Sequence, residues 1–228
     1  MIDVIGVYRE GVRHFLRNPS IAVPFAVANF IVSGLLYAVS ELGFKPEAKA
    51  GVVGVSALVF GVSIALSGIA QGVGVRMGVE IAESGRSSLA RGVRVLERQA
   101  VHLVLASAAV SVTVLLGLAL FIIPGIIAGF LLMFTVTALV IEELPAVRAM
   151  KRSYDVVIEH MGDAILYGLI LVILNLVAGI VSRAFQGVEV LYFLVPPVVD
   201  ALAMGVITLA GVLFFLEAKR SAQASAEG

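Results

Sequence analysis

Residues 101–141 read VHLVLASAAVSVTVLLGLALFIIPGIIAGFLLMFTVTALVI. These 41 residues contain no Asp, Glu, Lys or Arg, and the run is punctuated only by Pro124–Gly125. A helix needs roughly 20 mostly apolar residues to cross the hydrocarbon of a bilayer, so the stretch is long enough to cross twice. A helix also satisfies its own backbone polar groups, which lipid cannot do. Proline is tolerated in the first turn of a helix, where its missing N–H has no partner to lose. Two spans are therefore expected, at about 101–122 and 123–141, joined by a tight turn at Pro124 and Gly125.

Four more runs meet the same criterion, at about 20–40, 51–75, 163–182 and 197–216. Pro196–Pro197 is read as the turn that opens the last span, with residues 186–195 before it as an outer loop or interfacial segment. The composition agrees: 60% of the 228 residues are hydrophobic and 14% charged, against about 45–50% and 25% in soluble domains. The expected fold is all-α, a single polytopic membrane domain over residues 1–228 built as a six-helix bundle. No cleavable leader is expected, because the first twenty residues carry charge throughout.

Lys and Arg concentrate on the cytoplasmic side of membrane proteins. Thirteen of the sixteen lie in the N-terminal segment, the 76–100 and 142–162 connections and the C-terminal tail, which an even number of spans places on one side. Both termini are therefore expected in the cytoplasm, and the location is a prokaryotic plasma membrane. Zero net charge leaves no broad basic field for nucleic acid. The absence of Cys removes disulfides, thiolate nucleophiles and Cys-based metal sites.

Three basic segments are amphipathic, at about 2–17, 86–100 and 144–161. In the first, Val4, Ile5, Tyr8, Val12, Phe15 and Leu16 oppose Arg9, Glu10, Arg13 and Arg17. In the second, Leu89, Val93, Leu96 and Ala100 oppose Arg91, Arg94 and Arg98. In the third, Val147, Met150, Tyr154, Val157, Ile158 and Met161 oppose Arg148, Arg152, Asp155 and Glu159. Apolar residues at i, i+3, i+4 and i+7 facing charge mark helices that lie in the membrane plane. The chain thus reads as amphipathic helix plus hairpin three times, with Gly11–Val12–Arg13 echoed by Gly92–Val93–Arg94.

Around the Pro124 turn the text runs LFIIPGII over 120–127, then an apolar span, then VIEE over 140–143, then AMKRSY over 149–154. This resembles the membrane domain attached to some glycerophosphodiester phosphodiesterases and related stand-alone prokaryotic membrane proteins. Pro124, Gly125, Glu142, Lys151, Arg152 and Ser153 fill that pattern, with Tyr154 at a place where an aromatic, often Trp, is usual. The resemblance implies a shared membrane fold. It does not imply phosphodiester hydrolysis, since no segment outside the spans is long enough for a catalytic domain.

Polar groups inside spans are the first functional candidates. Asp200, Asn175, Asn29 and Gln71 form that set. Asp200 is expected in the first turn of the last span, either wet at the outer interface or holding an ion or proton; the three amides are expected to bond across helices. Arg91, Arg94, Arg98, Arg148, Lys151 and Arg152 are candidate contacts for anionic phospholipid or a protein partner, since guanidinium matches phosphate in a bidentate fork. Span two carries a small-residue stripe, Gly54, Ala57, Gly61, Ala65, Gly68 and Gly72, which suits close helix packing within the chain or in a homo-oligomer. The histidines, His14, His102 and His160, are too far apart for a metal motif. No nucleotide-binding or hydrolase motif is present, so no catalytic residue, metal or cofactor is expected. The expected function is a non-catalytic membrane module that interacts with lipid or a partner. The alternative is a small permease, against which the sequence shows interruptions only at span ends.

Overall fold

The computed structural model describes residues 2–41, 49–185 and 189–227. It is all-α, with no strand among these residues: α1 (Val4–Arg17), α2 (Val23–Glu41), α3 (Lys49–Ser84), α4 (Leu89–Val93), α5 (Val95–Leu120), α6 (Ile122–Leu131), α7 (Thr135–Ile141), α8 (Ala146–Glu159), α9 (Met161–Arg183) and α10 (Glu189–Glu227). Six stretches are long and apolar enough to cross a membrane, α6 and α7 together forming the fourth. The chain is a multi-pass membrane protein.

Helix ends follow local chemistry. Asp3 caps α1, its carboxylate accepting the Gly6 N–H at 2.9 Å, and Asp163 accepts the Ile2 N–H at 2.8 Å. Asn18 ends α1 and donates through its amide to the Gly85 carbonyl at 3.1 Å. Gly85 closes α3 at φ 74°, the left-handed conformation that glycine adopts without a Cβ clash. Between α7 and α8 that conformation falls to Glu143, at φ 50°, while the Leu144 N–H closes back onto the Leu139 carbonyl at 3.2 Å.

Several boundaries differ from the expectation. The turn between spans three and four is Phe121 alone, in extended conformation, and Pro124 lies inside the first turn of α6. Gly125 is buried where α6 folds onto α5: a Cβ at Gly117 would stand 2.7 Å from Gly125 Cα. The second amphipathic helix is only five residues, because the chain kinks at Arg94 and Val95–Ala100 already belongs to α5. Pro196 and Pro197 do not open span six; they sit inside α10, which starts at Glu189. A prolyl nitrogen cannot bond the carbonyl four residues back, yet α10 runs on through both prolines, and Asn29 on α2 donates to the Pro197 carbonyl at 3.3 Å. Of the expected outer loop, 186–188 lie outside the described residues and 189–195 are helical.

The arrangement is cyclic. Each repeat consists of a basic-end helix, a first span and a second span: α1–α2–α3, α4–α5–α6/α7 and α8–α9–α10. The second spans α3, α7 and α10 touch one another at the centre. Each basic-end helix packs on the second span of the preceding unit: α1 on α10, α4 on α3, α8 on α7. The small residue at each of these contacts is Gly11, Gly92 or Ser153. A Cβ at Gly11 would lie 3.2 Å from the Ala210 nitrogen, and one at Gly92 would lie 2.6 Å from Met77 Cγ. Ser153 is fully buried and reaches α6/α7 with its hydroxyl. The weak echo between Gly11–Val12–Arg13 and Gly92–Val93–Arg94 therefore marks equivalent contacts.

An aromatic knot ties the centre to the basic end. Phe134, the residue before α7, stacks on Phe214 of α10 at 5.0 Å, and Tyr167 of α9 lies 5.1 Å from Phe134 and 5.2 Å from Tyr8 of α1. Tyr8 donates to the Tyr167 carbonyl at 3.0 Å, and Tyr167 donates to the Ile207 carbonyl at 3.1 Å. Burial pushes the Tyr8 phenol pKa up, partly offset by its hydrogen bond with Tyr167, so it stays protonated as the donor. Tyr8→Phe keeps the stacking and loses one bond; SDS-induced unfolding in mixed micelles should show a loss of about 1 kcal/mol.

Candidate functional site

Two regions concentrate polar chemistry: the surface of α1 and α8 at the basic end, and a cavity half-way along the bundle.

The amphipathic helices have three faces. On α1, Val4, Val7, Tyr8, Gly11 and Phe15 are buried against the protein, while Ile5, Val12 and Leu16 are exposed apolar residues on an adjacent stripe. Arg9, Glu10, Arg13 and Arg17 occupy the remaining arc and are exposed. On α8, Ala146, Ala149, Ser153, Val156 and Val157 are buried, and Val147, Tyr154 and Ile158 form the exposed apolar stripe. The two helices repeat each other at an offset of 142 positions, so Ile5, Val12 and Leu16 correspond to Val147, Tyr154 and Ile158. At 100° per residue Arg9 and Lys151 fall at the edge of their stripes. A helix with one face on protein, one apolar stripe outward and charge beyond it suits the boundary between headgroups and acyl chains.

The structure divides the six basic candidates. Arg152 is engaged within the chain: its Nε lies 3.2 Å from both carboxylate oxygens of Glu142, and its guanidinium sits over the Phe215 ring at 5.8 Å. Arg91 pairs with Glu80 at 3.4 Å. Arg94, Arg98, Arg148 and Lys151 are exposed and have no ion pair among the described residues.

The intramembrane polar set does not converge. Asn29 bonds the Pro197 carbonyl, and Asn175 bonds the Leu171 carbonyl of its own helix. Asp200 is exposed eleven residues into α10, not in its first turn. Gln71 lines a cavity that none of the other three lines. The small-residue stripe of α3 is split: Gly68 and Gly72 receive Ser107 and Leu103 of α5, so that half is spent within the chain, while Gly54 and Gly61 have nothing within 4 Å. Comparison with protein families, curated proteins and solved structures finds no match. The chemistry must be read from these residues alone.

The cavity is a groove of about 380 Å³ between α3, α5 and the α6–α7 junction, open along the side where Ser67 is exposed. Ser63, Ser67 and Gln71 enter it from α3, Ser107 and Ser111 from α5, and Thr135 from α7. Each set follows the four-residue step that keeps one helical face. At 1.5 Å per residue Ser67 stands roughly 20 Å from Gly54 and about 25 Å from Ser84 along α3, near mid-depth. Span four is interrupted here, which the sequence did not suggest. The residues from Leu132 to Phe134 leave helical geometry, with Leu132 at φ −103°, ψ 7° and Phe134 at φ −97°, ψ 9°. Two backbone groups freed by the break are taken by one side chain: Ser153 donates to the Leu131 carbonyl at 2.9 Å and accepts the Phe134 N–H at 3.1 Å. The signal for the cavity was present as Ser63, Ser67 and Gln71 at i, i+4, i+8, but serines are so common in packed spans that their spacing alone singles nothing out. Among the described residues no group of three His, Cys, Asp or Glu is placed to hold a metal ion.

Proposed function

We propose that this chain is a non-catalytic membrane module whose basic end faces the cytoplasm of a prokaryotic cell and engages the headgroups of anionic phospholipids. The observation that carries this reading is the shared three-faced design of α1 and α8, each with an outward apolar stripe and a cation at its edge. The long stems of Arg9 and Lys151 can lie along the acyl region while their charged ends meet phosphate. The resemblance of the 120–154 text to the membrane domain of glycerophosphodiester phosphodiesterases supports a membrane module of that kind.

Lipid retention tests it. The protein is purified from vesicles of phosphatidylcholine containing phosphatidylglycerol, and bound lipid is counted by native mass spectrometry. Each surface cation is worth about 1 kcal/mol toward an anionic leaflet, so Arg148→Gln with Lys151→Gln should lower phosphatidylglycerol retention by roughly tenfold or more. Equal retention of the two lipids by the unsubstituted protein would overturn the reading.

A second reading, a small permease, is favoured by the interruption of span four at mid-depth. Discontinuous spans that line a cavity are where transporters hold substrate.

A further inference from the structure

We propose that the cavity between α3, α5 and the α6–α7 junction binds a small uncharged solute rich in hydroxyl or amide groups. Binding there requires no transport, so the inference stands apart from both readings of function.

Unspent hydrogen-bonding capacity is the first ground. A serine or threonine in a membrane helix can return its hydroxyl to the carbonyl four residues back. Ser63 does this onto Val59 at 2.7 Å and Thr113 onto Ala109 at 2.8 Å. Ser67, Gln71, Ser107 and Ser111 make no side-chain hydrogen bond to any described residue, yet all four line the same cavity. Lipid tails offer such groups no partner, and four directed at one groove call for an occupant that both donates and accepts.

Charge is the second. No ionisable side chain lines the cavity. Along α3 there is none between Gly54 and Val75, and along α5 none between Leu103 and Leu120. An ion would enter without a counter-charge at the depth where that is most costly. A neutral polyol or amide meets the same hydroxyls without that penalty. Size is the third: the volume is at the lower end of ligand pockets and corresponds to about a dozen waters, room for a polyol of up to six carbons.

The chain contains no Cys, so single-Cys variants report on one position each. Ser67→Cys and Ser111→Cys are reconstituted in vesicles, with Val172→Cys on the outward face of α9 as the lipid-facing comparison. Modification by a charged, membrane-impermeant thiosulfonate is timed with and without glycerol, myo-inositol, urea or sodium chloride. The cavity cysteines should react about tenfold faster than Val172→Cys, as water-filled sites do relative to lipid-facing ones. At least one of the three neutral solutes should slow them about threefold at a concentration twice its Kd, and the salt should not. Reaction no faster than at Val172→Cys would mean the groove is sealed by lipid and would overturn the proposal. Reaction unaffected by all three neutral solutes would mean water alone occupies it, with the same consequence. Disulfide formation between copies at Ser67→Cys would assign the groove to a second copy of the chain, and that also overturns it.

Discussion

Ser153→Ala should destabilise the protein by about 3 kcal/mol, because each buried backbone group left without a partner costs about 1–3 kcal/mol and this substitution orphans two. The hydroxyl is the only described partner of the Phe134 N–H and the only side chain on the Leu131 carbonyl, and Ser153 is fully buried against α7. The loss is measured by SDS unfolding in mixed micelles. A local readout separates it from general damage: the Phe134 amide should exchange with deuterium faster than the amides of α10. A neutral Ser153→Ala would mean that the break at Leu132–Phe134 is held by the packing of Phe134 on Phe214 and Tyr167, and the latching role of Ser153 would fall. Because Gly11 and Gly92 occupy the equivalent contacts on α10 and α3, the serine is a local answer to the interrupted span and not a requirement of the repeat.

Gly117→Leu should have an effect at least as large. The three atoms nearest to a Cβ at this position are all backbone: Gly125 Cα at 2.7 Å, Gly125 N at 2.8 Å and the Pro124 carbonyl carbon at 3.1 Å. No rotamer change relieves a backbone contact, so α5 and α6 must part along the turn that joins them. Overpacking that side chains can absorb costs about 1–3 kcal/mol, and this contact should lie at or above the upper end. Expression and resistance to proteolysis near residues 120–126 should both fall. Gly61→Ala is the matched comparison. Gly61 has nothing within 4 Å, so there the added methyl should leave stability unchanged or raise it by about 0.5–1 kcal/mol. Equal tolerance at the two positions would refute the close approach of α5 and α6.

The six spans, the basic end and the amphipathic character of α1 and α8 were legible in the sequence because hydropathy and helical periodicity are properties of neighbouring residues. Even so, one face on paper became two in the fold. Val4, Tyr8 and Phe15 turn into the protein while Ile5, Val12 and Leu16 turn outward, since only the position of α10 decides where protein ends and lipid begins. The candidate site was less legible. Asn29, Asn175 and Asp200 stood out as isolated polar residues in apolar runs, yet they point to different surroundings. The cavity is instead built from serines on α3 and α5 that each look ordinary alone.

Which segments are helical, how many can cross a membrane and which ends carry cations could be read along the chain, because each depends on residues within a few turns of one another. Tertiary structure alone decided the cyclic order of the three units, the assignment of Gly68 and Gly72 to α5 of the same chain, and the break in span four. A broken helix is stable only where something distant takes its freed N–H and carbonyl, and here that is Ser153, nineteen residues beyond Phe134 on another helix.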